Sequence, residues 1–149
     1  MTIYVPGPLI ETNAYRHAIW TLSILEYVYA DLQLILHGSD DAEGSIAKWK
    51  SGIITSDKAV SLVPSSSQTD QLLTTTDIIW LPTQSDAVPD HIEYLAAQQK
   101  PILASDFPSL RQQLMLHTLT QFLPANEPSL WAKAMFKLLG LHSGMRSAA

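Results

Sequence analysis

Two carboxylates and the turn between them hold the densest candidate chemistry in this chain. Asp86 and Glu93 flank the stretch Ala87-Val88-Pro89-Asp90-His91-Ile92, shortly after the apolar run Ile78-Ile79-Trp80-Leu81. A helix starting near Val88 to Asp90 leaves its first backbone N–H groups without intrahelical partners, and these groups at the positive end of the helix dipole suit a diphosphate. Glu93, about one turn into such a helix, presents a carboxylate that accepts hydrogen bonds from vicinal hydroxyls such as those of a ribose. Asp86 and Ser85 equally suit the cap of the same helix, because a short side-chain oxygen satisfies an orphan N–H there. Glutamate as a type is mostly exposed and solvated on helices, so the surroundings have to decide between the two roles.

Other site chemistries find little footing. The absence of cysteine removes disulfides, thiolate nucleophiles, Cys-ligated zinc and iron–sulfur clusters together. The five histidines (His17, His37, His91, His117, His142) show no H-x-H or H-E-x-x-H spacing, so no metal site is expected. The glycines form no G-x-G-x-x-G fingerprint, and in Gly38–Ser45 no lysine follows the second glycine, as a phosphate-binding P-loop requires. Ser65-Ser66-Ser67 and Ser105-Asp106 lack a nucleophile-elbow context.

The elements that must position these residues are legible as an alternation. Strands are expected at Thr2–Val5, Leu32–His37, Ala59–Val63, Asp77–Leu81, Pro101–Ala104 and Thr118–Leu123. Several are apolar without polar alternation, which requires burial on both faces, as in a parallel sheet covered by helices. Helices are expected near Ala14–Ala30, Asp41–Ser51, Thr69–Thr76, Pro89–Gln98, Pro108–Leu116 and Ser129–Leu139. Their candidate caps are Asn13, Ser67 or Thr69, Ser85 or Asp86, Asp106 and Ser129. The class is α/β, doubly wound, in one domain. The Ala14–Ala30 helix is apolar nearly all round, so it is either packed by neighbours on several sides or turned toward a second domain or subunit. Gly144–Ala149 reads as a frayed end.

Composition agrees with one globular domain. The 149 residues are 46% hydrophobic and 15% charged, which argues against disorder. Nine Lys and Arg against fourteen Asp and Glu leave a net charge of −5, without the basic footprint of a nucleic-acid binder. No apolar stretch reaches the roughly 18 residues needed to span a bilayer. Met1–Ile10 lacks the basic and apolar regions of a secretory signal, and a cytoplasmic setting is expected.

The segment Asp77–Asp106, DIIWLPTQSDAVPDHIEYLAAQQKPILASD, resembles the C-terminal, donor-binding half of the retaining glycosyltransferases of family 4, which have the GT-B fold. That family carries a strand ending in Pro-Ser or Pro-Thr, an acidic residue in a short loop, and a helix bearing Glu-Ala-Met-Ala. A small or polar turn and a Pro-Val-Val-Ala-Ser strand follow. Leu81-Pro82-Thr83 fills the first role, Glu93-Tyr94-Leu95-Ala96 the helix, and Lys100-Pro101-Ile102-Leu103-Ala104-Ser105-Asp106 the last. Ala30–Gly38, Val60–Val63, Gln71-Leu72-Leu73, Thr76-Asp77, Leu123–Asn126 and the Trp131–Leu139 helix resemble the flanking strands, turns and ending, so the likeness covers roughly residues 30–139 and, more weakly, 2–29.

The resemblance implies one Rossmann-like doubly wound parallel sheet of about six strands with helices on both faces, half of a GT-B fold. It places the domain at residues 1–141, with 142–149 as a flexible tail. The implied function is to bind a nucleoside diphosphate sugar, UDP-linked for instance, and to pass its hexosyl group with retention to a hydroxyl acceptor in polysaccharide biosynthesis. Glu93 would hold the ribose, and Asp86 or Ser85 would face the sugar. Backbone at Ala87, Val88 and Pro89 would receive the diphosphate, and Val63, Pro64 and Ser65 would meet the base. No metal or other cofactor is implied; the nucleotide sugar is substrate. The expected partner is an N-terminal acceptor domain or a second subunit, with no nucleic acid.

Three features depart from the family pattern. The family spaces its two acids with seven intervening residues, whereas eight positions before Glu93 stands Ser85, and Asp86 matches only with a one-residue loop deletion. The Arg and Lys that the family carries after its first strand, neutralising the leaving diphosphate, are missing from Val5–Arg16, where Arg16 is the single nearby cation. Losing a preorganised electrostatic donor typically lowers a rate by roughly 10²–10³. Finally, 149 residues supply one of the two domains of a GT-B enzyme. The alternative is therefore a degenerate, non-catalytic nucleotide-binding or protein-interaction module of the same fold.

Overall fold

A strand that is apolar at every position has two faces to bury, and this chain buries both. The computed structural model describes residues 2–6, 12–25, 31–37, 60–63, 69–83, 86, 88–89, 91–125 and 127–148, with the side chains of 12–17, 60, 62, 139 and 141–148 outside that description. In chain order the elements are β1 (Thr2–Val5), α1 (Thr12–Leu25), β2 (Gln33–His37), β3 (Val60–Val63), α2 (Thr69–Thr74) and β4 (Ile78–Leu81). They continue with α3 (Ile92–Ala96), β5 (Ile102–Ser105), α4 (Pro108–Leu114), β6 (Thr120–Leu123) and α5 (Pro128–Ala148).

The six strands form one sheet in the order β3-β2-β1-β4-β5-β6, every neighbouring pair parallel. The register sets Tyr4 opposite Ile35 and Ile79, and Trp80 opposite Leu103. Because successive side chains leave a strand on opposite faces, the apolar runs divide into two cores. On one face Ile3, Val5, Leu34, Leu36, Ile78, Trp80 and Leu103 pack against Ala18, Ile19, Leu22 and Leu25 of α1 and Trp131, Ala132, Ala134 and Met135 of α5. On the other, Tyr4, Ile79, Leu81, Ile102 and Ala104 meet Leu73 of α2, Ile92 and Leu95 of α3, and Leu110 and Leu114 of α4. The expected α/β doubly wound parallel sheet, with helices on both faces, is the observed fold.

The apolar character of α1 has a double explanation. The helix is covered by the sheet on one side and by α5 on another, with Ala18, Ile19, Thr21, Leu22 and Leu25 buried, while Trp20 and Ile24 are left about half and a third exposed, at 47% and 38%. In α5 the Trp131 ring sits 5.5 Å from Trp80 at 44°, and its indole N–H donates to the Pro124 carbonyl at 2.8 Å.

Three helices depart from expectation. α3 is five residues long and starts at Ile92, where Pro89–Gln98 was expected. His91 has left-handed backbone angles (φ 64°, ψ 26°), which interrupts any helix arriving from Pro89, and Gln99 (φ 56°) ends the turn before the Pro101 strand. Asp106 does not cap α4; its N-cap is Phe107 in extended conformation, whose own side chain makes no capping bond, followed by Pro108. α5 runs helically through Ala148, past the point where a tail was expected, since Gly140 and Gly144 each cost a helix only about 1 kcal/mol relative to Ala. The helix expected at Asp41–Ser51 lies outside the described residues, as do residues 26–30.

The Trp80–Trp131 contact joins α5 to the middle of the sheet, so its loss is expected to be severe. Trp131→Ala should lower the unfolding free energy by about 3–5 kcal/mol, and Trp131→Phe by clearly less, in urea titrations. A loss for the alanine variant within about 0.5 kcal/mol, the range of surface substitutions, would contradict this packing.

Candidate functional site

Parallel pairing puts the carboxyl ends of all six strands on one edge of the sheet. The strand order places β1 between β2 and β4, and α1 after β1 and α3 after β4 pack on opposite faces, a switch point of the kind at which open α/β sheets bind ligands in the crevice at that edge. His37 ends β2 and pairs with Val63 at the end of β3, while Leu81-Pro82-Thr83 leaves β4 on the far side of β1. Three interstrand steps separate β3 from β4, about 14 Å at roughly 4.8 Å per step.

The segment after β4 is tied to the segment after β5. Ser105, fully buried, donates its hydroxyl to the Thr83 carbonyl at 2.6 Å, with the Leu81 carbonyl further away at 3.3 Å. Asp86 is exposed, and its Oδ1 accepts the backbone N–H of Ser109 at 3.0 Å. That N–H is an orphan of the first turn of α4, where Pro108 has no N–H and Phe107 no capping side chain. The natural local cap, Asp106, instead forms a two-pronged pair with Arg111, at 2.5 Å from Nε and 3.1 Å from Nη2. The hydrogen bond from Arg111 and its positive charge hold the Asp106 carboxyl below the ordinary range. The Arg111 guanidinium also lies 4.7 Å from the centre of the Phe122 ring.

Beneath the same edge sits a buried polar pair. The Tyr4 hydroxyl and His37 Nδ1 are 2.6 Å apart and their rings 5.7 Å. Burial pushes the Tyr4 phenol up to about 12, against a smaller opposing effect of its hydrogen bond with Thr69 at the start of α2. His37 Nε2 and Thr83 Oγ1 are buried without a hydrogen-bond partner among the described residues.

Glu93 stands in the first turn of α3, exposed beside Tyr94, while Ile92 and Leu95 of the same turn are buried in the core. Its carboxylate makes no hydrogen bond or ion pair with any described residue. Val88 is exposed and Pro89 half-buried in the approach to α3; Val63 is half-buried at the end of β3. Ser85, Ala87, Pro64 and Ser65 lie outside the described residues, and Arg16 is described only as part of the α1 backbone. The chain therefore brings Asp86, Val88, Pro89 and Glu93 onto one connection and leaves Val63 three strand steps away. Sequence reading missed Ser105, Ser109 and the Tyr4–His37 pair. The signal for Ser105 was its place at the end of an otherwise apolar strand; nothing local marks Ser109. Among the described residues no three potential metal ligands cluster, and no helix is long and apolar enough to cross a membrane.

No protein-family model matches this sequence, and no curated protein is significantly similar to it. Solved structures do match. A glycosyltransferase from Rickettsia africae ESF-5 superposes with a TM-score of 0.78 at 14% identity, over 94% of this chain and 38% of that one. The C-terminal domain of a group 1 family glycosyl transferase, LpcC, from Francisella tularensis gives 0.71 at 11% identity, over 93% of this chain and 75% of that one. S. aureus MnaA, solved with UDP, gives 0.66 at 14% identity, over 93% of this chain and 36% of that one. This chain thus spans under two fifths of the Rickettsia and S. aureus proteins, and its α/β, Rossmann-like fold matches theirs and that of the LpcC C-terminal domain.

The buried phenol makes an alkaline limit. Between pH 10, where a tyrosine of the unfolded chain ionises, and about 12, where Tyr4 does, the unfolded state binds fewer protons than the native state, so stability falls as pH rises. Chemical denaturation across this window should show the loss in the wild type and a shallower slope in Tyr4→Phe; equal slopes would place Tyr4 in an ordinary environment.

Proposed function

We propose that this chain is the donor-binding domain of a glycosyltransferase, one that holds a nucleoside diphosphate sugar whose hexosyl group passes to a hydroxyl acceptor with retention. The bond broken joins the anomeric carbon to the diphosphate, the bond formed joins that carbon to the acceptor oxygen, and the acceptor hydroxyl gives its proton to the departing nucleoside diphosphate, which carries away the electron pair of the broken bond. The observation that carries this reading is an exposed carboxylate, Glu93, with no partner among the described residues, in the first turn of α3 on the connection that leaves β4, in a fold that matches a glycosyltransferase C-terminal domain.

In this reading Glu93 accepts hydrogen bonds from the ribose hydroxyls, and backbone at Ala87, Val88 and Pro89 meets the diphosphate. Ser85 and the second oxygen of Asp86 face the sugar, and Val63, Pro64 and Ser65 face the base. The separation of about 14 Å between the ends of β3 and β4 suits an extended nucleotide sugar. Arg16 is the cation proposed for the leaving group, with no metal required. The acceptor site belongs to an N-terminal domain or second subunit across the crevice. UDP is the first nucleotide to try, because MnaA was solved with it.

A second reading, a nucleotide-binding or interaction module without transfer chemistry, is favoured by Arg111. That cation is engaged by Asp106 and Phe122, so it is not offered to a departing diphosphate.

Calorimetric titration with UDP, GDP and ADP tests the donor site directly. One nucleotide should bind, and Glu93→Gln should weaken it about tenfold, as for the loss of a hydrogen bond to a charged group. The 2′-deoxy nucleotide should bind the wild type about as weakly as the ribonucleotide binds the variant. Absence of binding by all three at millimolar concentration would overturn the reading.

A further inference from the structure

The connection that would hold the donor is not free-standing. We propose that the segment Ser105–Ser109 is a brace that fixes the position of the β4 connection, and that Asp86 is a positioning residue clamped by the Ser109 backbone N–H; the proposal rests on the donor-site reading above.

Two independent ties support it. The first is buried: the Ser105 hydroxyl reaches across from β5 to the Thr83 carbonyl at 2.6 Å, beyond the last paired residue of β4. This bond engages a backbone acceptor that has just left the sheet, and Ser105 itself is fully buried. The second is exposed: Asp86 Oδ1 accepts the Ser109 N–H at 3.0 Å across 23 residues of sequence. A carboxylate accepting a backbone N–H makes a charge-assisted bond, roughly twice as strong as a neutral one. Asp86 does here what Asp106 would do if it capped its own helix, but Asp106 is committed to Arg111. The Asp106–Arg111 pair thus leaves the Ser109 N–H to a partner from the neighbouring connection.

Together the ties fix both ends of Thr83–Asp86, the stretch that leads into Val88, Pro89 and Glu93. With Oδ1 occupied by the Ser109 N–H, the exposed carboxylate is restrained in its orientation. Placement by a fixed hydrogen bond lowers the ordering a ligand would otherwise have to impose on the loop. The tie therefore acts on affinity for the nucleotide portion, not only on contacts to the sugar.

The test compares UDP with UDP-glucose on the wild-type chain, Asp86→Ala, Asp86→Asn and Ser105→Ala, by calorimetry, with amide hydrogen exchange across residues 82–93. Asp86→Ala should weaken UDP by about tenfold for the loss of one such bond, should weaken UDP-glucose at least as much because the second oxygen faces the sugar, and should speed exchange in the segment. Asp86→Asn keeps an acceptor oxygen toward Ser109 and should recover most of the affinity and protection. Ser105→Ala should weaken both ligands and speed exchange in the same segment. If Asp86→Ala weakens UDP-glucose alone, the residue is a sugar contact and the brace is wrong. If both ligands bind the variants as they bind the wild type, the brace is equally wrong. If the wild type binds neither ligand, the donor-site reading itself fails, and hydrogen exchange still reads the brace: unchanged exchange at 82–93 in Asp86→Ala and Ser105→Ala overturns it, and faster exchange supports it.

Discussion

Burying strands that are apolar on both faces is the constraint from which the rest of this structure follows. Tyr4 and Val5, or Ile79 and Trp80, are neighbours in sequence yet belong to separate cores, and only helices on both sides of the sheet can cover both. Such cover calls for a helical crossover between successive strands, and crossovers make neighbouring strands parallel. Parallel strands, in turn, place every carboxyl end on a single edge. A binding edge is thus a by-product of core formation, before any residue is chosen for chemistry.

What distinguishes this edge is how its connections are restrained. The turn after β4 could wander, since α3 is only five residues long and starts behind a left-handed His91. It is held instead by hydrogen bonds from the β5–α4 segment and by Ile92 and Leu95, which anchor α3 in the second core. Glu93 is therefore exposed on a turn whose other face is locked by packing. Elsewhere at this edge, buried Tyr4 and His37 and half-buried Thr69 form a polar cluster that joins β1, β2 and α2.

Much of the fold was legible because apolar runs and turn residues are local signals. The six strands fall within two residues of their expected limits, and the clean division of Ile3, Val5 and Tyr4 between faces follows from the strand period alone. The misreadings came from interactions at a distance or from backbone conformation. A left-handed His91 is not a residue-type preference strong enough to read, so α3 was expected to start too early. Asp106 precedes α4 and looks like its cap, yet Arg111 draws it away and Asp86 supplies the hydrogen bond from 23 residues back. The candidate site was legible as a segment, Asp86 to Glu93, through its resemblance to a family pattern. Its supports, Ser105 and Ser109, were not, because hydroxyl and backbone groups gain a role only from tertiary placement.

The central claim is that a nucleotide occupies the carboxyl edge of this sheet. It is tested most directly by mapping amide chemical shifts of the isotope-labelled chain during addition of UDP. The account predicts perturbations confined to the ends of β2 and β3 around His37 and Val63, and to the connection from Thr83 to Glu93. Perturbations centred on the opposite edge, around Gln99 and Leu116 to Leu119, or none at saturating nucleotide, would contradict it.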